Sequence, residues 1–239
     1  MVVLTAVVAA VYAVILIPFK PIPILPGVTE LRPANAVPVL ASLLFGPAAA
    51  WGAAFGNTIG DFFGTLGPGT LFGFVGNFLF GYVPYRVWAI LGAGDPQPRA
   101  DARWWTAFLV AVFLASLACG LFIGWGVELL GLAPFRVVAP LILLNNFLMA
   151  GILAPPLLRW IAPRVTRWGL TYGEILPATE RAAARAPRLG LALLAAGLVL
   201  GYAAGFSGFT LLPAGAAAWE VSAAVSPFLL VSLAGLFLI

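Results

Sequence analysis

Long apolar runs alternate along this sequence with short segments that are polar or rich in proline and glycine. Several runs are long enough to cross a hydrocarbon core of about 30 Å as helices. No run alternates apolar and polar residues over about ten positions, as the strands of a transmembrane barrel do. Because lipid offers no partners to backbone groups, each run is predicted to be a helix. The predicted helices cover residues 2–19, 34–45, 48–63, 70–91, 104–130, 135–158, 189–212 and 221–239.

Prolines and glycines mark the breaks between these helices. Prolines end the first helix, so residues 20–33 are expected to form an ordered loop. Residues 64–69, rich in glycine, are expected to form a tight turn. Residues 159–188 hold six arginines and three aromatic residues that suit the headgroup level of a membrane.

The predicted fold class is therefore an all-α, polytopic membrane helix bundle. Residues 1–160 would form a six-helix core, and residues 161–188 a basic segment along the membrane interface. Residues 189–239 would add two further transmembrane helices.

Composition supports a membrane location. Hydrophobic residues make up 63% of the chain and charged residues only 8%, whereas a soluble domain has about 25% charged residues. The net charge of +4 comes from arginines between apolar runs, which indicates membrane topology rather than nucleic-acid binding. With no histidine and one cysteine, Cys119, the chain offers no internal disulfide and no Cys/His metal site. No metal and no cofactor are expected.

The distribution of positive residues predicts the orientation. With the amino terminus inside, nine arginines fall on the cytoplasmic side, and only Lys20, Arg32 and Arg136 fall outside. Positive residues in short loops favour the cytoplasmic side. With an even number of spans, both termini are expected to be cytoplasmic, in a protein of the inner (cytoplasmic) membrane.

A stripe of small residues follows the third predicted helix, and polar residues lie beside it. Four glycines spaced four apart form the stripe, which close helix packing explains most simply: Gly52, Gly56, Gly60 and Gly64. Asn57 and Asp61 lie one turn apart on the neighbouring face. An ionisable group in a membrane helix is a functional hypothesis, although Asp61 could instead cap the helix or anchor a loop.

Other polar residues converge on the outer end of the predicted bundle. Charged residues gather there from four segments: Glu30, Arg32, Asp61, Glu128 and Arg136. Three amides, Asn77, Asn145 and Asn146, add donors and acceptors that could also hold helices together. Since Asn145 and Asn146 point about 100° apart on a helix, only one is expected to face a cavity. Trp51 and Trp125 could stack on a planar ligand, or they could pack against lipid.

The first 160 residues resemble a known family. The features are an alanine-spaced first helix, a proline-rich loop, the stretch Glu30-Leu31-Arg32-Pro33-Ala34-Asn35, Phe45-Gly46-Pro47, and the glycine-striped helix with Asn57 and Asp61. This pattern resembles the substrate-binding S components of energy-coupling factor (ECF) vitamin transporters, and in particular the queuosine-precursor branch. Residues 161–239 depart from that family.

The resemblance implies an outward-facing pocket covered by residues 20–33 and 64–69. We predict that a small vitamin-like or nucleobase-like nutrient is bound there by the polar and aromatic residues considered above: Glu30, Arg32, Asn57, Asp61, Asn77, Trp125, Arg136, Asn145 and Asn146. The resemblance also implies that Ala6, Ala10 and Ala13 meet a transmembrane coupling subunit, which works with two cytoplasmic ATPases. The chain itself has no GxxxxGK[ST] phosphate loop.

Two other classes of function remain open from the residues alone. A membrane enzyme acting on a lipid or isoprenoid would need positioned titratable groups, and this chain offers few. A self-sufficient secondary transporter could couple uptake to protonation of Asp61, and an assembly or scaffold protein is a further alternative.

The predicted orientation can be tested by labelling of introduced cysteines. In intact cells, Leu31→Cys is expected to react with a membrane-impermeant maleimide, because the first loop faces outward. Arg99→Cys, in the linker on the opposite side, is the matched control and is expected to react only after permeabilisation. The reverse labelling pattern would contradict the orientation.

Overall fold

The computed structural model describes residues 1–25, 29–92, 94–177, 179, 181, 183–211 and 218–239. Its helices are α1 (Val2–Leu16), α2 (Ala36–Phe45), α3 (Pro47–Asp61), α4 (Gly69–Leu91), α5 (Ala102–Leu129), α6 (Phe135–Arg167), α7 (Tyr172–Ile175), α8 (Pro187–Leu211) and α9 (Ala218–Leu238). Short 3-10 helices at Ile17–Phe19 and Pro33–Asn35 flank a two-stranded antiparallel hairpin, β1 (Pro23–Leu25) and β2 (Thr29–Glu30).

The predicted all-α polytopic bundle is confirmed. In the described part of the chain, five helical segments are long and apolar enough to cross a membrane: Val2–Phe19, Ala102–Leu129, Phe135–Ile175, Pro187–Ser207 and Trp219–Leu238. Eight membrane helices were predicted, and five of the described segments are long and apolar enough to cross a membrane. The ten residues of α2 extend only about 15 Å and the fifteen of α3 about 22 Å, less than a hydrocarbon core of about 30 Å.

The sixth predicted helix does not end at residue 158. Instead α6 continues to Arg167 and contains Pro140, Pro155, Pro156 and Pro163. Prolines are tolerated in membrane helices where neighbouring groups or water satisfy the carbonyls they free. Its 33 residues extend about 50 Å, so one end projects beyond the hydrocarbon. The first part of the predicted basic segment is therefore the end of α6.

Helix α7, which follows α6 in the basic segment, packs against the bundle. The rings of Tyr172 in α7 and Tyr85 in α4 pack with centroids 6.1 Å apart. Tyr172 also lies against Gly46, the single residue between α2 and α3, which has a φ of +57° that favours glycine. Contacts with α4 and the α2–α3 corner therefore hold this part of the segment.

The predicted ordered loop contains an unpredicted hairpin. Proline lacks an amide donor and is tolerated at the first residue of a strand, and β1 begins at Pro23. The hairpin pairing is extended by a hydrogen bond from the Leu31 amide to the Ile22 carbonyl, 3.0 Å long. This pairing brings Glu30 and Arg32 back over the end of the bundle.

The glycine stripe packs α3 closely against α1. Gly52 faces Val8, Gly56 faces Ala9 and Tyr12, and Gly60 faces Leu16. Gly64 lies beyond the helix and has no neighbour where a Cβ would stand. The packing interpretation therefore holds for three of the four glycines.

The same contact divides the alanines of α1 between two faces. Ala6 and Ala10 are exposed, whereas Ala13 has an exposed fraction of 3%. The predicted docking strip of three alanines is wrong for Ala13, because this residue is buried on the side of α1 that enters the bundle.

The carboxyl-terminal helices pack on the outside of this arrangement. Helices α8 and α9 pack against each other and against α5. The Trp125 indole on α5 donates hydrogen bonds to the Ser222 carbonyl and to Ser226 Oγ, both 3.1 Å long, and Tyr202 donates one to the Ala139 carbonyl. The additional helices thus cover one side of α5, and the opposite side of α5 packs against the core helices.

Candidate functional site

A cavity of about 470 Å³ lies where the first loop and the α3–α4 turn meet the ends of the core helices. Its polar lining comes from different segments: Thr29 and Arg32 from the loop, Asn57 and Asp61 from α3, Thr65 and Thr70 from the turn and the start of α4, Asn77 from α4 and Asn146 from α6. Its apolar lining includes Ile123 and Val127 of α5. The two segments predicted to cover the pocket thus both border this cavity.

Three buried charged side chains and the largely buried Arg32 form an ion-pair network beside the cavity. Lys20 Nζ lies 3.2 Å from Glu30 Oε1 and 3.2 Å from Asp61 Oδ1. Arg32 Nε lies 3.0 Å from the same Glu30 oxygen. The side chains of Lys20, Glu30 and Asp61 are at most 6% exposed. Two cations and two anions therefore compensate one another away from water, where an unpaired charge would be costly.

Asn57 joins the two halves of this network. Arg32 Nη1 donates a 2.9 Å hydrogen bond to Asn57 Oδ1, and Asn57 Nδ2 donates a 3.1 Å bond to Asp61 Oδ2. Thr65 receives a bond from Lys20 and donates to Asp61 Oδ1. The loop, α3 and the α3–α4 turn are thereby linked into one polar wall.

The charge of Arg32 is maintained by its neighbours. Burial lowers the pKa of this loop residue, but Glu30, Tyr12 and Asp61 act in the opposite direction, and the net effect raises the pKa. The guanidinium therefore remains a cation and a permanent hydrogen-bond donor.

The two adjacent asparagines of α6 point in different directions, as their spacing predicts. Asn145 holds the loop: its Nδ2 donates to the Glu30 carbonyl at 2.8 Å, and its Oδ1 accepts from the Arg32 amide at 3.4 Å. Asn146 lines the cavity. Asn145 is therefore an anchor of the loop rather than part of the cavity surface.

A chain of uncharged polar groups lies beneath the ion pairs. The Tyr12 hydroxyl lies 3.0 Å from Asn35 Oδ1 and 3.1 Å from Asn77 Oδ1. Asn35 Nδ2 donates a 2.6 Å bond to Asn146 Oδ1, and Asn77 Nδ2 donates a 2.8 Å bond to the Gly73 carbonyl. These residues connect four helical elements at the closed end of the cavity.

Several residues predicted at the site lie elsewhere. Trp125 faces α9, and Arg136 is exposed at the start of α6 and does not line the cavity. The Glu128 carboxylate accepts a hydrogen bond from the Phe135 amide and so caps α6. Trp51 packs against Phe78 on the outside of α3 and α4. In the described part of the chain no aromatic ring lines the cavity, so neither Trp51 nor Trp125 could stack on a ligand held there.

The sequence analysis missed several residues of the site, among them Lys20, Asn35, Tyr12 and the threonines Thr29, Thr65 and Thr70. Lys20 carried a signal, because a lysine beside an apolar helix must reach water or an anion. Asn35 carried one as well, because it is an amide at the start of an apolar helix. Tyr12 gave no local signal, since a tyrosine in the first helix is equally typical of packing.

The ion-pair network predicts a strong effect of Lys20→Met on stability. The substitution would leave two buried carboxylates without their shared cation, and we expect the free energy of unfolding to fall by about 3–5 kcal/mol. The measurement is thermal unfolding of the purified protein in detergent.

Arg99→Gln is the control for this measurement. It breaks the Arg99–Asp95 pair, which is 3.6 Å long and about half exposed, and should change the stability by less than about 1 kcal/mol. Similar unfolding midpoints for Lys20→Met and Arg99→Gln would contradict the structural role of the buried network.

Comparison with known proteins assigns the family. A family model described as QueT transporter matches residues 2–163, which include every residue that lines the cavity. No curated protein and no solved structure matches the chain. The resemblance to the queuosine-precursor branch of the S components is confirmed, and the family is one of transporter components rather than enzymes. This multi-pass membrane protein belongs to the QueT transporter family.

Proposed function

We propose that this protein is the substrate-binding subunit for uptake of a nucleobase-like nutrient, in this branch a queuosine precursor, captured from the outer face of the cytoplasmic membrane. The observation that carries the proposal is the cavity of about 470 Å³ bordered by a buried, charge-balanced polar wall. Ligand pockets usually have volumes of about 300–1,000 Å³ and a few well-placed polar groups.

The chemistry of the wall favours a polar ligand that carries hydrogen-bonding groups. The buried cations and anions are paired, so the cavity has little charge to offer a bare ion. Arg32, Asn57, Asp61, Asn77 and Asn146 present donors and acceptors from separate segments. The edge of a nucleobase carries donors and acceptors that can be read in this way. Ile123 and Val127 would contact its faces.

The closed form of the cavity depends on the first loop and the α3–α4 turn. Lys20 bonds both to Glu30 of the loop and to Thr65 of the turn, so it joins the two covering segments. In our proposal these segments separate to admit the ligand and are rejoined by Lys20 afterwards. The ion-pair network therefore forms part of the wall of the binding cavity and also holds the first loop and the α3–α4 turn together.

The energy for uptake is proposed to come from other proteins. A transmembrane coupling subunit would meet Ala6 and Ala10 on the exposed face of α1, and two cytoplasmic ATPases would act through it. Helices α8 and α9 pack on α5, and they leave Ala6 and Ala10 exposed. The additional helices are therefore compatible with docking of a shared module at α1. Both termini are proposed to be cytoplasmic.

Ligand binding by purified protein tests the proposed site. The ligand that co-purifies can be identified by mass spectrometry, and guanine serves as a defined probe in calorimetric titrations in detergent. We expect Asp61→Asn and Asn77→Ala each to weaken guanine binding by about tenfold or more, because each removes a polar group of the cavity wall.

Arg136→Gln is the control for these titrations, because Arg136 is exposed outside the cavity. It should bind guanine as the unmodified protein does. Unchanged affinity in both Asp61→Asn and Asn77→Ala, with the thermal unfolding midpoint retained, would exclude this cavity as the binding site.

Docking at α1 is tested by adding bulk to its exposed face. Ala10→Leu is expected to reduce co-purification with the coupling subunit and ATPases at least about fivefold while guanine binding is retained, because close helix contacts need small residues. Gly151→Leu is the matched control, since a side chain there meets no neighbour within 4 Å. Equal recovery of partners with both variants would rule out docking at Ala10.

A further inference from the structure

The closed end of the cavity contains four polar residues that are almost completely buried. Tyr12, Asn35, Asn77 and Asn146 have exposed fractions of 0%, 1%, 2% and 4%. Only Asn77 and Asn146 line the cavity, while Tyr12 and Asn35 stand behind them. Buried polar groups of this kind need partners, so the orientation of each amide is set by its neighbours.

The Gly73 carbonyl and the Tyr12 hydroxyl together set the orientation of Asn77. A carbonyl only accepts hydrogen bonds, so the amide nitrogen of Asn77 must face it, as the 2.8 Å bond records. Asn77 Oδ1 consequently faces Tyr12, whose hydroxyl lies 3.1 Å away and supplies the proton. The oxygen of this amide is therefore held inside the network, and its second N–H group is the donor left for the cavity.

The same hydroxyl acts on the second amide through Asn35. The Tyr12 hydroxyl lies 3.0 Å from Asn35 Oδ1. Because this contact holds the oxygen of Asn35, its Nδ2 faces Asn146 Oδ1 and donates a 2.6 Å hydrogen bond to it. The Asn146 nitrogen then faces away from Asn35, on the side of the Cys119 thiol, which also lines the cavity. One phenol proton, shared between two carbonyl oxygens, thus orients Asn146 through Asn35 and acts with the Gly73 carbonyl on Asn77.

We propose that Tyr12 is a positioning residue that makes the closed end of the cavity donate hydrogen bonds, so that the site selects a ligand with a carbonyl or another acceptor there. The proposal rests on the proposed function, because it assumes that a nucleobase-like ligand occupies this cavity. A site built to donate discriminates against an analogue that presents a donor at the same position, because two donors then face each other.

Two purines of the same shape provide the test. Guanine carries a carbonyl at C6 where 2,6-diaminopurine carries an amino group, and the N1–H donor of guanine is an acceptor nitrogen in 2,6-diaminopurine. The pair therefore reverses the donor and the acceptor at these two adjacent positions. In calorimetric titrations we expect the unmodified protein to bind guanine at least about tenfold more tightly than 2,6-diaminopurine. In Tyr12→Phe the ratio of the two dissociation constants should fall toward one, since Asn35 and Asn146 lose the group that orients them and Asn77 Oδ1 loses its donor.

Tyr202→Phe is the matched control, because its hydroxyl donates to the Ala139 carbonyl and its ring does not line the cavity. It should keep the preference for guanine. Asn35→Ala provides a second variant if Tyr12→Phe does not fold. It interrupts only the hydrogen-bonded path from Tyr12 to Asn146. The logarithm of the ratio of the two dissociation constants should therefore fall by about half.

The outcomes separate this inference from the function on which it rests. Tight guanine binding with the same preference in the unmodified protein, Tyr12→Phe and Asn35→Ala would overturn the role of Tyr12 and leave the proposed site standing. Tighter binding of 2,6-diaminopurine to the unmodified protein would overturn the proposed polarity. Binding of neither purine would contradict the proposed function, and the inference would fall with it.

Discussion

The compensation of four largely buried charges is the constraint on which the outer half of this protein depends. Lys20, Glu30, Arg32 and Asp61 lie in the first loop and at the end of α3, and each would be costly if its partners were absent. Pairing them requires the loop to fold back over the bundle. The hairpin, the anchor at Asn145 and the cover of the cavity all follow from that requirement.

Close helix packing provides the second condition. Gly56 has no side chain, so α1 can approach α3 until Tyr12 lies against it. The phenol then reaches Asn35 and Asn77, which belong to other segments of the core. The glycine stripe is therefore connected to the chemistry of the cavity, since a wider spacing between α1 and α3 would carry the hydroxyl away from both amides.

Features that depend on composition and helical periodicity could be predicted from the sequence. Features that depend on the direction in which a side chain points around its helix could not. Asn57 and Asp61 could be grouped because they lie one turn apart on the same helix. Arg136 was assigned to the site because it lies near the outer end, and Trp125 because its ring could stack on a planar ligand. Neither depth along a helix nor residue type gives the face on which a side chain lies. Lys20 was overlooked because its importance arises only when the loop folds back. The end of α6 was misplaced because prolines were expected to stop it.

The hydrogen bonds of Trp125 have a consequence for the size of this transporter. Its indole N–H is satisfied by Ser222 and Ser226, both on α9. A shorter relative lacking the last two helices would expose that donor to hydrocarbon, where an unsatisfied polar group is costly. Tryptophan at this position and the carboxyl-terminal helices are thus expected to be gained or lost together during the divergence of the family.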